Sequence, residues 1–81
     1  MTYFVYLLEC KDKSLYCGIA KDVKKRLAEH EKGKGSRFVR SRLPAKIVYT
    51  EKAKTRSKAL KREAQIKKMK REKKRELFSA V

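Results

Sequence analysis

Two runs of strand-forming residues separated by a short polar turn constrain this chain more than any other feature. The first is Thr2-Tyr3-Phe4-Val5-Tyr6-Leu7-Leu8 and the second is Ser14-Leu15-Tyr16-Cys17-Gly18-Ile19, with Lys11-Asp12-Lys13 between them. That spacing predicts a β-hairpin, and the length of its loop sets the register. A three-residue loop at Lys11–Lys13 pairs Cys10 with Ser14 and Leu8 with Tyr16, and sets Tyr6 opposite Gly18. Both tyrosines then share one face; a two-residue loop would separate them. The first run is apolar on both alternating faces, Tyr3, Val5 and Leu7 on one and Phe4, Tyr6 and Leu8 on the other. This reads as a central strand covered on both sides. The plain role of a tyrosine on such a strand is core filling. Gly18, two residues after Tyr16, points elsewhere, because an interior strand glycine often marks the close approach of a ligand or another backbone.

The remaining elements follow from caps and periodicity. Asp22 suits the N-cap of a helix running to about Glu31, with Val23 and Leu27 as its apolar stripe and Gly33 and Gly35 ending it. Residues 32–44 read as a long loop. Residues 45–50, with Ile47, Val48 and Tyr49, read as a third strand. Thr55 caps a second helix through Lys68 or beyond, with Ala59, Leu60 and Ile66 on its apolar side. A last helix from about Arg71 to Ala80 docks through Leu77 and Phe78. The order β-β-α-β-α-α predicts an α+β fold, a small three-stranded antiparallel sheet flanked by helices. At 81 residues the expectation is one domain, residues 1–81, with a groove rather than a deep pocket.

Charge narrows the partner. Lys and Arg number 25 against 9 Asp and Glu, a formal net charge of +16. Residues 1–22 are neutral, so the whole excess lies in residues 23–81. Such asymmetry points to a polyanion. No apolar run reaches the ~18 residues a membrane span needs, and no basic region precedes an apolar one at the N-terminus. Cys10 and Cys17 have no metal-ligand spacing and read as buried thiols of a cytoplasmic protein.

Three groups could carry chemistry. Glu63 falls between Ala59 and Leu60 on the helical wheel, with Ile66 beside it. A carboxylate among apolar neighbours costs several kcal/mol unless paired, protonated or metal-bound. The plainer reading is an ion pair with Arg26, Arg62 or Lys67. Arg26 and His30 lie four apart and so share a helix face, at the edge of the Val23–Leu27 stripe. An arginine there can grip a phosphate through two parallel hydrogen bonds, and a histidine can hold a proton near neutral pH. The segment Lys32, Lys34, Arg37, Arg40, Arg42 and Lys46 contains no acid, and Phe38 sits within it. Basic side chains around an aromatic suit a nucleic-acid backbone with a stacked base. The plainer reading is a solvated loop.

Tyr6, Tyr16-Cys17-Gly18, Arg26 followed by His30, and a helical Glu63, in this order, resemble the GIY-YIG nuclease superfamily. The small single-domain bacterial members are the nearest match. The segments Leu15-Tyr16-Cys17-Gly18-Ile19, His30-Glu31-Lys32-Gly33-Lys34-Gly35 and Pro44-Ala45-Lys46-Ile47-Val48-Tyr49 fit that group. So does the stretch from Ala59 through Glu63 to Lys68, and together these segments cover nearly the whole chain.

The resemblance implies hydrolysis of phosphodiester bonds in DNA, single strands included, with one divalent ion, Mg²⁺ or Mn²⁺, and no small-molecule cofactor. It implies that Glu63 holds the ion and that Arg26 binds the scissile phosphate. Tyr16 would be the general base or would orient the water, and Tyr6 would position the phosphate or Tyr16. His30 would be a second proton acceptor or a phosphate contact, and Gly18 would leave room for the substrate backbone. Lys32, Lys34, Arg37, Phe38, Arg40 and Arg42 would bind nucleic acid. The sequence departs from the pattern in three places. Ile19 stands where several members have lysine, the chain has no asparagine, and the turn has Asp12-Lys13 where Asp-Gly is common. The rival expectation is a non-catalytic nucleic-acid-binding module on a degenerate fold of this type.

Overall fold

The computed structural model describes residues 2–79. Its elements are β1 (Tyr3–Cys10), β2 (Leu15–Ala20), α1 (Val23–Glu31), α2 (Arg37–Arg40), β3 (Ala45–Ala53), α3 (Arg56–Lys67) and α4 (Arg71–Glu76). The three strands form one antiparallel sheet in the order β2-β1-β3. β1 is central, as its two apolar faces require.

The hairpin has the three-residue loop. Cys10 N donates to Ser14 O at 2.9 Å, Leu8 pairs with Tyr16, and Tyr6 lies opposite Gly18. The turn is held by the Asp12 carboxylate, whose Oδ1 accepts from Ser14 N at 3.0 Å. Lys13 takes the left-handed conformation, φ 70°, the place where other turns use glycine.

Because the side chains of β1 alternate, the sheet has two cores. On one face Tyr6, Leu8 and Cys10 pack with Val23 and Val39 from α1 and α2. On the other, Val5, Leu7 and Cys17 pack with Ala59 and Ile66 of α3, and Leu77 and Phe78 lie against them. Both cysteines are buried free thiols.

The helix ends carry the expected chemistry. Asp22 accepts from Lys25 N at the start of α1. Gly33, at φ 79°, closes it, with Gly33 N donating to His30 O and Lys34 N to Glu29 O; this is the Schellman arrangement that a glycine past the helix end permits. Thr55 caps α3 by accepting from Lys58 N.

Four expectations need correction. The 32–44 segment is not all loop: Ser36 accepts from Phe38 N and starts the short helix α2, because its hydroxyl replaces a missing intrahelical partner. β3 runs on to Ala53 rather than ending at Thr50. Leu60 is exposed rather than part of the buried stripe, which consists of Ala59 and Ile66. α4 ends at Glu76, so Leu77 and Phe78 dock just past the helix; Ala80 lies outside the described residues.

α4 is fixed by charge as well as by packing. Arg71 and Arg75 both donate to the Lys13 carbonyl, at 2.9 and 2.7 Å. Arg75 also donates to Glu9 Oε2 at 2.9 Å, and this hydrogen bond holds the Glu9 carboxyl below the usual carboxylate range. No helix among the described residues is long and apolar enough to cross a membrane.

Candidate active site

The register brings Tyr6 and Tyr16 together, with ring centroids 6.3 Å apart. Tyr6 is buried, 1 % exposed, and crosses the edge strand over Gly18. A Cβ built at Gly18 would lie 2.5 Å from Tyr6 Oη and 2.7 Å from its Cζ. The gap that sequence reasoning reserved for substrate backbone is filled by the Tyr6 phenol. Gly18→Ala is therefore expected to destabilise the fold by ~1–3 kcal/mol, the usual cost of overpacking a well-filled core. Urea unfolding measures it, and an unchanged midpoint would show that the phenol has room to move.

His30 lies behind the two phenols. It is 0 % exposed, the third member of an apolar stripe with Val23 and Leu27 rather than a residue at its edge. Both ring nitrogens are occupied: Ser36 N donates to Nδ1 at 3.1 Å, and Nε2 lies 3.1 Å from Tyr6 Oη. Gly35 supplies the seat, since a Cβ there would overlap the imidazole, 2.6 Å from Cε1 and 2.7 Å from Cγ. His30 thus has no free nitrogen for a phosphate; it reaches the site through its hydrogen bond to Tyr6 and the edge contact of its ring with Tyr16, centroids 5.4 Å apart. Gly35 and Ser36 were not singled out as functional in the sequence. The signal was the Gly-x-Gly-Ser that follows the histidine, which permits a ring to lie on the backbone.

Electrostatics separate the members of the cluster. Burial pushes the Tyr6 phenol up to about 12, and the nearby Tyr16 adds to this while Arg26 opposes it. Burial, reinforced by Arg26, holds His30 below its ordinary value. At neutral pH Tyr6 is a neutral phenol, His30 a neutral imidazole and Arg26 a cation. Arg26 Nη1 donates to Glu29 Oε1 at 3.0 Å, and this bond raises the guanidinium pKa further. The arginine is partly exposed at the mouth of the cluster.

Of the basic loop residues, Lys32, Lys34, Arg37 and Arg40 are exposed. Arg42 is engaged by the protein. Its Nε donates to Asp12 Oδ2 at 3.2 Å, and its Nη1 donates to Phe38 O and Ser41 Oγ. It fastens the α2 segment to the hairpin turn. Its guanidinium also covers the Phe38 ring at 3.9 Å, and the Tyr16 ring stacks near Phe38 at 6.2 Å. These neighbours occupy ring surface that a stacked base would need.

Glu63 stands apart from the other four. It is on α3, which covers the opposite face of the sheet, and it acts electrostatically on Cys17, the residue after Tyr16. Its side chain is 17 % exposed and its Oε2 is 3.6 Å from Lys67 Nζ. Arg62 pairs with Glu51 at 3.0 Å instead, and Arg26 with Glu29. The two halves meet around the β2 edge, where a 210 Å³ pocket is lined by Leu15, Tyr16, Cys17, Phe38, Lys67 and Lys74. Lys67 and Lys74 were legible only as members of a long basic run.

No group of three or more His, Cys, Asp or Glu side chains that could cage a metal occurs among the described residues. One mostly buried carboxylate that already attracts a cation fits a hard ion such as Mg²⁺. That ion keeps several waters and uses one or two carboxylates plus substrate phosphates.

The comparisons agree with this fold. The family model described as the GIY-YIG catalytic domain matches residues 2–76. A UPF0213 protein of Staphylococcus saprophyticus is 46% identical over 77 residues, covering 95% of this chain and 94% of that one. A UPF0213 protein of Staphylococcus aureus matches to the same extent. The solution NMR structure of a UPF0213 protein from Bacillus halodurans superposes with a TM-score of 0.62 at 39% identity, over 98% of this chain and 84% of that one. That of a protein from E. faecalis gives 0.66 at 37%, over 94% and 81%. With a hairpin that joins Tyr6 to Tyr16, a helix that supplies Arg26 and His30, and a family match over nearly its whole length, this chain belongs to the GIY-YIG catalytic domain family, a family of nuclease type.

Proposed function

We propose that this protein is a metal-dependent nuclease that hydrolyses phosphodiester bonds in DNA, single strands included, with little sequence preference. The observation that carries the reading is the gathering of Arg26, Tyr6 and Tyr16 at one mouth, with the Glu63 carboxylate across a single edge strand. Arg26 binds the scissile phosphate and stabilises the charge that develops on it. Tyr16 is the more accessible phenol and faces the groove, where it accepts a proton from the attacking water or orients that water. Tyr6 stays protonated and holds the arrangement in place. Glu63 would hold Mg²⁺ or Mn²⁺. Such an ion, when bound, supplies charge stabilisation at the phosphate and leaving oxygen.

Lys67 and Lys74 continue the groove past Tyr16 toward the exposed lysines of α3 and α4. Those lysines can hold the phosphates of a strand leaving the site. Such contacts position nucleic acid without reading its sequence. The test uses labelled single-stranded and duplex DNA with Mg²⁺, with Mn²⁺ and with a chelator. Cleavage is expected only with the ion, and binding should weaken steeply with salt under all three conditions. Tight, salt-sensitive binding without ion-dependent cleavage would replace this reading with a binding module.

A further inference from the structure

The hydrogen bonds around His30 have only one consistent direction. A main-chain N–H can donate but cannot accept. Ser36 N lies 3.1 Å from His30 Nδ1, so Nδ1 must present its lone pair. A neutral imidazole carries one proton, and here that proton is on Nε2. Nε2 is 3.1 Å from Tyr6 Oη, so the imidazole donates and the phenol accepts. The phenol has a single proton of its own, which cannot point back at an N–H. It cannot point at Arg26 either, because a guanidinium has no acceptor. The Tyr16 ring stands beside the phenol, with centroids 6.3 Å apart.

We propose that the Ser36 main-chain amide, acting through His30, fixes Tyr6 as a hydrogen-bond donor beside Tyr16. Ser36 and His30 are positioning residues, and Tyr6 is barred from serving as a base. The direction of the bonds stands on geometry alone; its bearing on catalysis rests on the nuclease reading above. Three features hold the arrangement. The opposite tautomer would set two N–H groups against each other in a buried place and lose the Ser36 bond, an expensive loss where water cannot compensate. The ring lies on the Gly35 backbone, where no side chain fits beneath it. The ionisable groups around the imidazole are Tyr6, Tyr16, Arg26 and Glu29, and none offers Nδ1 a proton. A phenol held as a donor, next to an arginine that also only donates, suits a lone pair on oxygen. A deprotonating Tyr16 or a phosphate oxygen presents one.

The test is the ring ¹⁵N spectrum of His30, the single histidine of the chain, in the whole protein without metal or DNA. One proton, on Nε2, is expected from about pH 6 to about pH 8, although a free histidine titrates in that range. A proton on Nδ1, or an imidazolium at about pH 6.5, would overturn the proposal. Two variants separate the amide from the side chain. Replacing the Ser36 main-chain amide by an ester, through the α-hydroxy analogue of serine introduced by chemical ligation, deletes the N–H without filling its place; a proline Cδ there would collide with Nδ1, which lies 3.1 Å from Ser36 N. Ser36→Ala keeps the N–H and loses only the cap to Phe38 N. Ser36→Ala should keep the wild-type ring spectrum. The ester should mix the tautomers and cleave about tenfold more slowly than Ser36→Ala, the rate effect of ~1.4 kcal/mol. Identical ring spectra in the two variants would sink the idea. If the wild-type protein cleaves nothing, the nuclease reading falls and the spectrum still decides the direction of the bonds.

Discussion

Glu63→Gln should lose cleavage by about 10³-fold or more, the scale seen when one charge-stabilising group is removed from a site. Its DNA binding should stay within about twofold, because the basic residues that carry most of the affinity are untouched. The substitution keeps the shape of the side chain and removes its charge. The lost pair with Lys67 is a helix i,i+4 contact, worth ~0.3–0.5 kcal/mol, so the unfolding midpoint should barely move. Mn²⁺ binding, followed by the electron paramagnetic resonance of the free ion, should weaken in parallel with activity. Full cleavage by this variant in Mg²⁺ or Mn²⁺ would remove Glu63 from the reaction.

Tyr16→Phe is the second large effect. The ring keeps its edge contact with His30 and its stacking near Phe38, so the scaffold is preserved and one oxygen is lost. If that oxygen takes the proton or orients the water, kcat should fall ~10²–10⁴-fold, the usual contribution of a positioned proton acceptor. KM should change little, because Arg26 and the lysines of the groove still hold the phosphates. A variant that raised KM and spared kcat would make Tyr16 a binding contact only.

Much of the fold was legible because local rules acted without competition. Lys11-Asp12-Lys13 set the hairpin register, and with it the pairing of Tyr6 with Gly18. Asp22 and Thr55 marked two helix starts to the residue. What could not be read depended on neighbours distant in sequence. Arg42 looked like any loop cation until the hairpin turn brought Asp12 to it. His30 looked like an edge residue until Gly35 let the next segment fold over it. Leu60 and Glu63 sat side by side on one helical wheel, yet Leu60 is exposed while Glu63 is mostly covered. The wheel gives angles about the axis, not how far the sheet extends beneath them. The position of Glu63 across the edge strand from the tyrosines depended on which face of the sheet α3 packs against.

The clamp between the hairpin turn and the last helix has a consequence for synthesis. Arg75 meets Glu9 across 66 positions of sequence, and it meets Lys13 O across 62. A ribosome releases the turn 62 residues before its clamp. Contacts of such wide separation form slowly, because the intervening chain must be ordered first. While the chain is being made, its tyrosine-bearing hairpin has neither the α3 cover nor the α4 clamp. The complete groove exists only once the chain has been translated through α4.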